Sequence, residues 1–275
     1  MCGIVGAVAA RNVVPILIEG LRKLEYRGYD SAGLATLNGR IDRVRAVGRV
    51  ADLAARASEA QASASTGIAH TRWATHGGVT ENNAHPHYSC GDGFEVCVVH
   101  NGIIENHETL RKRLRAEGYE FQSDTDTEVI AHQVHHHVKA GASLFEAVRL
   151  TVGELDGAYA IAAISSRQPG TVVGSRRGSP LLLGIGNGGS GKGENFLASD
   201  TSALLQVTRH VSYLEEGDVV EIRGDGYRIA DADGKPAERP IVESQISADA
   251  IELGNYEHYM QKEIFEQPGA VANTL

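Results

Sequence analysis

The second residue of the chain is a cysteine, and its place in the sequence decides what chemistry it can do. Methionine aminopeptidases remove Met1 when the next residue is small, as Cys2 is. Removal puts a free α-amine and a thiol on one residue. The amine titrates near ~8 and the thiol near ~8.5, so one can serve as base for the other at neutral pH. The apolar run Ile4 to Ala9 follows at once and reads as a buried strand that would hold such a nucleophile rigidly. The bland alternative is an incidental cysteine near the start. Cys97, inside an apolar run, is expected in the core, and Cys90 in a Gly-rich turn. Three cysteines do not make a disulfide framework.

Other residues invite metal or phosphate chemistry and do not support it. His85 and His87 flank Pro86, and His135, His136 and His137 are consecutive. Consecutive helical residues are turned by roughly 100° from one another, so this triplet cannot close on one metal ion; it reads as a partly exposed helix face. Gly186 to Gly193 has the G-x-x-x-x-G-K spacing of a phosphate loop. Gly193, however, stands where Ser or Thr would ligate magnesium, and no helix is expected to follow, so the segment reads as a flexible hairpin tip. No metal and no cofactor is expected.

The elements that must position Cys2 follow from periodicity. Leu17, Leu21 and Leu24 recur at helical spacing, predicting a helix over 13–25. Residues 32–37 are strand-like, 51–64 an Ala-rich helix or frayed connection, and 68–71 extended. From 71 to 86 the chain has little periodicity and reads as a long loop, the kind that is usually functional. Val96 to His100 reads as a strand running into an Asn101-Gly102 turn. Asn106 is placed to cap a helix reaching Gly118. Helices over 127–140 and 143–155 come next. Strands are predicted over 158–164, 171–173, 181–185, 196–198, 219–222 and 227–230. Many strands with two blocks of helices imply sheets packed on one another and covered by helices, an α+β architecture.

The composition closes off other functions. With 26 basic and 35 acidic residues the formal charge is −9, so neither nucleic acid nor an anionic membrane is an expected partner. No run approaches the roughly 20 apolar residues of a membrane helix. The start has no basic lead and no long apolar run, so it does not read as a signal peptide, and a cytoplasmic location is expected. Residues 241–275 read as a linker whose parent chain continues.

Six motifs, in order, carry a family resemblance. They are M-C-G-I-V-G at the start, L-E-Y-R-G-Y-D-S-A-G (24–33), H-T-R-W-A-T-H-G (70–77), N-A-H-P-H (83–87), V-V-H-N-G-I-I-E-N (98–106) and T-D-T-E-V-I-A-H (125–132). Together they resemble the class II glutamine amidotransferases, which are N-terminal-nucleophile hydrolases. Among these they are most similar to the glutaminase half of the glutamine–fructose-6-phosphate aminotransferases, the glucosamine-6-phosphate synthases. H-Y-M-Q-K-E-I-F-E-Q-P (258–268) matches the segment leading to their sugar-phosphate isomerase half. The motifs set the chain apart from phosphoribosylpyrophosphate amidotransferases and asparagine synthetases. A non-enzymatic regulatory or metal-binding domain is the further alternative, and the chain has no C-x-x-C spacing to support it.

The resemblance implies a four-layer αββα sandwich with two mainly antiparallel sheets over residues 1–240, and a linker over 241–275. It implies hydrolysis of glutamine through a Cys2 thioester, with ammonia passed to fructose 6-phosphate in the intact homodimer. Asn101 and Gly102 would form the oxyanion hole, where residue chemistry alone allows a simple turn. Arg72 suits the substrate carboxylate because its planar fork binds two oxygens, against a surface salt bridge as the plain alternative. Asp126 suits the ammonium, with a helix N-cap as the alternative and Asp124 as a competitor. Trp73, Thr75 and His76 would lie in a loop folding over glutamine, Trp73 also gating the ammonia path unless it is core. Arg27 would position the nucleophile, Tyr29 pack near the site, and His85 support the closed loop. Val79 departs from the proline common in this lid, and the Gly186–Gly193 loop is longer than the family connection.

Overall fold

The computed structural model describes residues 2–245 and 259–274. Two compact units divide at Ser244 and Gln245. In the second, a helix runs over Tyr259–Thr274. Met1 and part of the expected linker, 246–258 with Leu275, lie outside the described residues.

The first unit is built on alternation. Strand β1 (Gly3–Ala9) sends Val5, Ala7 and Ala9 to one face, where they pack on helices α1 (Val14–Leu24) and α2 (Val50–Glu59). It sends Ile4 and Val8 to the other, where they meet a second sheet. Strand β7 (Gly157–Ser165) does the same in that second sheet. Its Tyr159, Ile161 and Ala163 face helices α3 (His107–Ala116), α4 (Glu128–Lys139) and α5 (Leu144–Glu154). Its Ala160, Ala162 and Ile164 face inward. A period of two feeding two apolar layers on each sheet gives four layers, helix–sheet–sheet–helix. This is the αββα sandwich expected.

The remaining strands are β2 (Ser31–Asn38), β3 (Arg40–Val47), β4 (Thr66–Arg72), β5 (His87–Gly91) and β6 (Phe94–Ile104). After β7 come β8 (Thr171–Arg177), β9 (Leu182–Ile185), β10 (Glu194–Ala198), β11 (His210–Tyr213) and β12 (Val219–Arg223). The last are β13 (Gly226–Ala230), β14 (Pro236–Ala237) and β15 (Ile241–Glu243). One sheet has the order β15-β11-β9-β10-β1-β4-β2-β3 and the other β14-β13-β12-β8-β7-β6-β5. The central pairings are antiparallel: β1 lies between β10 and β4, and β6 between β5 and β7.

Several expectations are corrected. Asn101-Gly102 is no turn at a strand end: β6 continues through it, with Asn101 opposite Ala160 and Gly102 opposite Tyr159. Asn106 precedes α3 but does not cap it; its amide is drawn to the Glu154 carbonyl and the Asp156 N–H. His135 is not on an exposed face. It is buried, its ring stacked 4.2 Å from Phe94 and its Nδ1 bonded to the Tyr119 hydroxyl at 2.9 Å. Strands β3, β5, β11 and β14 were not foreseen. Ile241–Glu243, expected in the linker, pairs with β11 as an edge strand. Gly186–Gly193 is the tip of the β9–β10 hairpin, with one helical turn inside it.

Candidate active site

Alternation also decides which side chains can meet. Cys2 lies two residues before Ile4, which faces the layer between the sheets. In β4, Ile68 faces that layer, so His70 and Arg72 follow it onto the same face. In β6, Cys97 and Val99 face it, so Asn101 does too. Because β1 and β4 are neighbours, with Gly3 opposite Thr71, these residues converge at one end of the inter-sheet layer.

They line a cavity of about 250 Å³. Cys2, Asn101, Gly102, Arg72, Trp73, Thr75, His76, Asp126, Arg27 and His85 all border it. Of the residues expected at the site, Tyr29 alone is not in its lining; it stands outside, its ring edge-on to Trp73 at 5.7 Å.

The Cys2 thiol is half-buried, its Sγ 3.2 Å from the Trp73 N–H, which donates to it, and 3.6 Å from the Trp73 carbonyl. Burial pushes its pKa up, and Asp30 pushes the same way; the Trp73 N–H, the chain's amino terminus and Arg72 pull it down without cancelling the rise. At neutral pH it is therefore a thiol, and attack on a carbonyl needs a base to take its proton.

Asn101 is held at both ends of its amide. Its Nδ2 donates to the Cys2 carbonyl at 3.2 Å, and its Oδ1 lies 3.0 Å from Nε2 of His70. Gly102 has φ +132°, a backbone region that L side chains rarely adopt. A Cβ there would also collide with the Ala158 carbonyl. Glycine is thus required for β6 to turn its backbone here while still paired to β7.

Arg72 is buried rather than a surface ion pair. Its guanidinium donates to the carbonyls of His76 at 2.6 Å, Gly78 at 3.2 Å and Gly77 at 3.3 Å. It curls the 73–78 loop round itself. Asp126 is buried and accepts the Ile104 N–H at 2.8 Å; the N-cap position belongs to Thr127. Asp124 is exposed, bonds Asn83 and is not part of the lining, which removes it as a competitor. Trp73 is 49% exposed, not core. Arg27 forms an ion pair with Asp200, next to Ser199, whose hydroxyl accepts the Ile4 N–H at 3.0 Å and anchors the head of β1.

Sequence reasoning missed three contributors, Asp30, His100 and His70. Asp30 accepts the Ala74 N–H and so pins the start of the loop. His100 lies beneath the cavity with Nδ1 2.9 Å from the Thr127 hydroxyl, while its buried Nε2 has no partner. His70 stacks on His85 at 4.0 Å. Burial depresses the pKa of His70 to about 3 and that of His85 well below its ordinary value, so both are neutral. For His70 the strand alternation Ile68-His70-Arg72 was the available signal.

A strand that begins just after a cysteine, inside a four-layer αββα sandwich, is the arrangement of the N-terminal-nucleophile hydrolases. The chain belongs to the glutamine amidotransferases: the model of the glutamine amidotransferase domain matches residues 70–206. Over its whole length it is 56% identical to the glutamine–fructose-6-phosphate aminotransferase [isomerizing] of Xylella fastidiosa and 54% identical to that of Vibrio vulnificus. It covers 44% of each, so it spans less than half the length of these relatives. Among solved structures, the glutamine phosphoribosylpyrophosphate amidotransferase of B. subtilis superposes with a TM-score of 0.72. That match covers 84% of this chain and 49% of that one at 22% identity, a likeness of fold.

Proposed function

We propose that this domain hydrolyses L-glutamine to glutamate and ammonia, with Cys2 as nucleophile. The observation that carries the reading is Cys2 in the lining of a cavity, with the amide of Asn101 donating to the Cys2 carbonyl. Once Met1 is removed, the freed α-amine takes the thiol proton as sulfur attacks the side-chain carbonyl carbon. The oxyanion rests on the Asn101 amide and the Gly102 N–H. The amine then gives its proton to the departing ammonia. A γ-glutamyl thioester remains, and a water molecule deprotonated by the amine cleaves it to glutamate. Arg72 receives the substrate's α-carboxylate and Asp126 its ammonium, while Trp73, Thr75 and His76 cover it. Arg27, Tyr29 and His85 support these groups.

In the whole protein the ammonia goes to fructose 6-phosphate, the second substrate in the names of the relatives. Residues 245–275 link the domain to the isomerase half, and the enzyme works as a cytoplasmic homodimer. Among the described residues no helix is long and apolar enough to cross a membrane.

The test is glutamate release by the 275-residue chain and its Cys2→Ala variant, with the intact mass recording whether Met1 is present. The variant is expected to lose activity by a factor of about 10⁴ or more. An undiminished rate would sink the reading. The chain with fructose 6-phosphate added should release ammonia and form no amino sugar.

A further inference from the structure

We propose that His70 is a positioning residue of the reaction, fixing which end of the Asn101 amide faces Cys2. This rests on the glutamine-hydrolysis reading above and extends it to a residue that touches neither substrate nor thiol.

The argument starts from a group that cannot move. The His100 carbonyl belongs to β6 and lies 3.0 Å from Nε2 of His70. A carbonyl oxygen only accepts, so Nε2 must carry the proton. The second ring nitrogen, Nδ1, is buried with no partner, and a proton there would be left unsatisfied. The backbone therefore sets the tautomer. The same Nε2–H lies 3.0 Å from Oδ1 of Asn101. An asparagine amide is nearly symmetric in shape, and only its bonds decide which end is oxygen. With the amide reversed, its NH₂ would meet the His70 N–H, and its oxygen would meet the Cys2 carbonyl. Two donors and two acceptors would then be set against each other. In the observed orientation both contacts are favourable, and one amide N–H reaches the Cys2 carbonyl. The other is left to meet a developing oxyanion.

The ring has no freedom to leave. His70 is fully buried, and His85 stacks on it with planes 12° apart. Neutral across the working pH range, it holds this orientation without titrating. A donor aimed in advance costs no reorganisation during the reaction, which is the source of oxyanion-hole catalysis.

The experiment uses the full 275-residue chain. In the wild type, ring ¹⁵N resonances at pH 7 should show Nε2 protonated and Nδ1 bare. His70→Leu removes the donor; kcat for glutamate release should fall about 10–100-fold, short of losing the donor outright. KM for glutamine should stay close to wild type. The rate at which iodoacetamide alkylates Cys2 should also be unchanged, because alkylation forms no oxyanion. His70→Gln, which keeps an N–H donor, should recover most of the lost kcat. An Nδ1-protonated ring would overturn the proposal even if the leucine variant failed to fold. So would an unchanged kcat in His70→Leu, or a fall in alkylation matching the fall in kcat, which marks a merely structural role. Glutamate release surviving in Cys2→Ala would instead overturn the hydrolysis reading itself, so the two failures are distinguishable.

Discussion

One wall of the cavity is made from strand ends of the eight-stranded sheet, the other from a strand interior of the seven-stranded sheet. On the first wall Cys2 stands just ahead of β1, and Arg72 closes β4 where the chain leaves as the 73–78 loop. These groups are fixed by side-chain bonds: Arg72 to three loop carbonyls, Asp30 to the Ala74 N–H, Arg27 to Asp200. On the second wall Asn101 and Gly102 sit inside β6, paired to β7 through Ile104. In the proposed reaction the nucleophile and the loop need access to substrate, while the oxyanion donors need to be immobile before it arrives. Placing the first at chain ends and the second in a ladder meets both demands.

If the second wall works by immobility, removing its donor should cost the most after the nucleophile itself. Asn101→Ala should lower kcat for glutamate release about 10²–10³-fold with KM little changed. A fall in KM-derived affinity with kcat intact would move Asn101 from the oxyanion to ground-state binding. Gly102→Ala tests the backbone rather than the side chain. It forces an L residue to φ +132° and drives a methyl into the Ala158 carbonyl. We expect a stability loss of at least about 2 kcal/mol, read by denaturant unfolding, together with impaired turnover. A variant as stable as wild type would show that β6 is freer here than its pairing implies.

Acid should separate the walls through the neutral histidines beneath them. Burial holds His70 down to about 3, against an unfolded value near 6.5. Between those values the unfolded chain binds a proton that the folded one refuses, so stability falls as pH drops below ~6.5, by up to about 1.4 kcal/mol per pH unit. His85, lowered in the same direction, adds to the loss. Glu128 joins it at lower pH. Burial alone would raise its pKa, but bonds from His132, Gln122 and Ser123 win and hold it at about 2. Its stabilisation is present above the ordinary carboxylate range and lost as pH falls towards that value. Unfolding free energies from pH 8 to 4 check the slope; a flat profile would mean the histidines are solvated.

The walls also differ in how far they could be read from the sequence. Cys2 and its strand were legible because the signal is local: a small second residue followed by an apolar run. The motifs around Arg72 and Asp126 picked out residues that line one cavity, but not that Arg72 would be occupied with loop carbonyls. Asn101-Gly102 was misleading as structure. The dipeptide is a strong turn signal, and what overrides it is pairing with β7, more than fifty residues on. Asn106 failed for the same reason, its amide claimed by residues at and just past the end of α5. The αββα layering followed from the balance of strands and helices. The edge strand β3 was missed because its arginines mask an alternation that is present, Ile41 pointing into the inter-sheet core. His70 needed both facts at once, the face of β4 it occupies and the neighbour across the layer. Only the first is in the sequence.

The smallest effect should come from the most conspicuous residue on the first wall. Trp73 is half exposed, and its ring rests edge-on against Tyr29, itself exposed. What reaches Cys2 is its backbone: the N–H donates to Sγ and the carbonyl lies near the thiol. Trp73→Ala keeps both backbone groups and leaves the bonds of Arg72 and Asp30 to hold the loop. We therefore expect kcat/KM for glutamine hydrolysis to change by less than about fivefold, equivalent to about 1 kcal/mol. Cys2 alkylation should be equally little affected. A loss of a hundredfold would mean that the indole, not the guanidinium, holds the loop over substrate, and the division of labour between the walls would have to be redrawn.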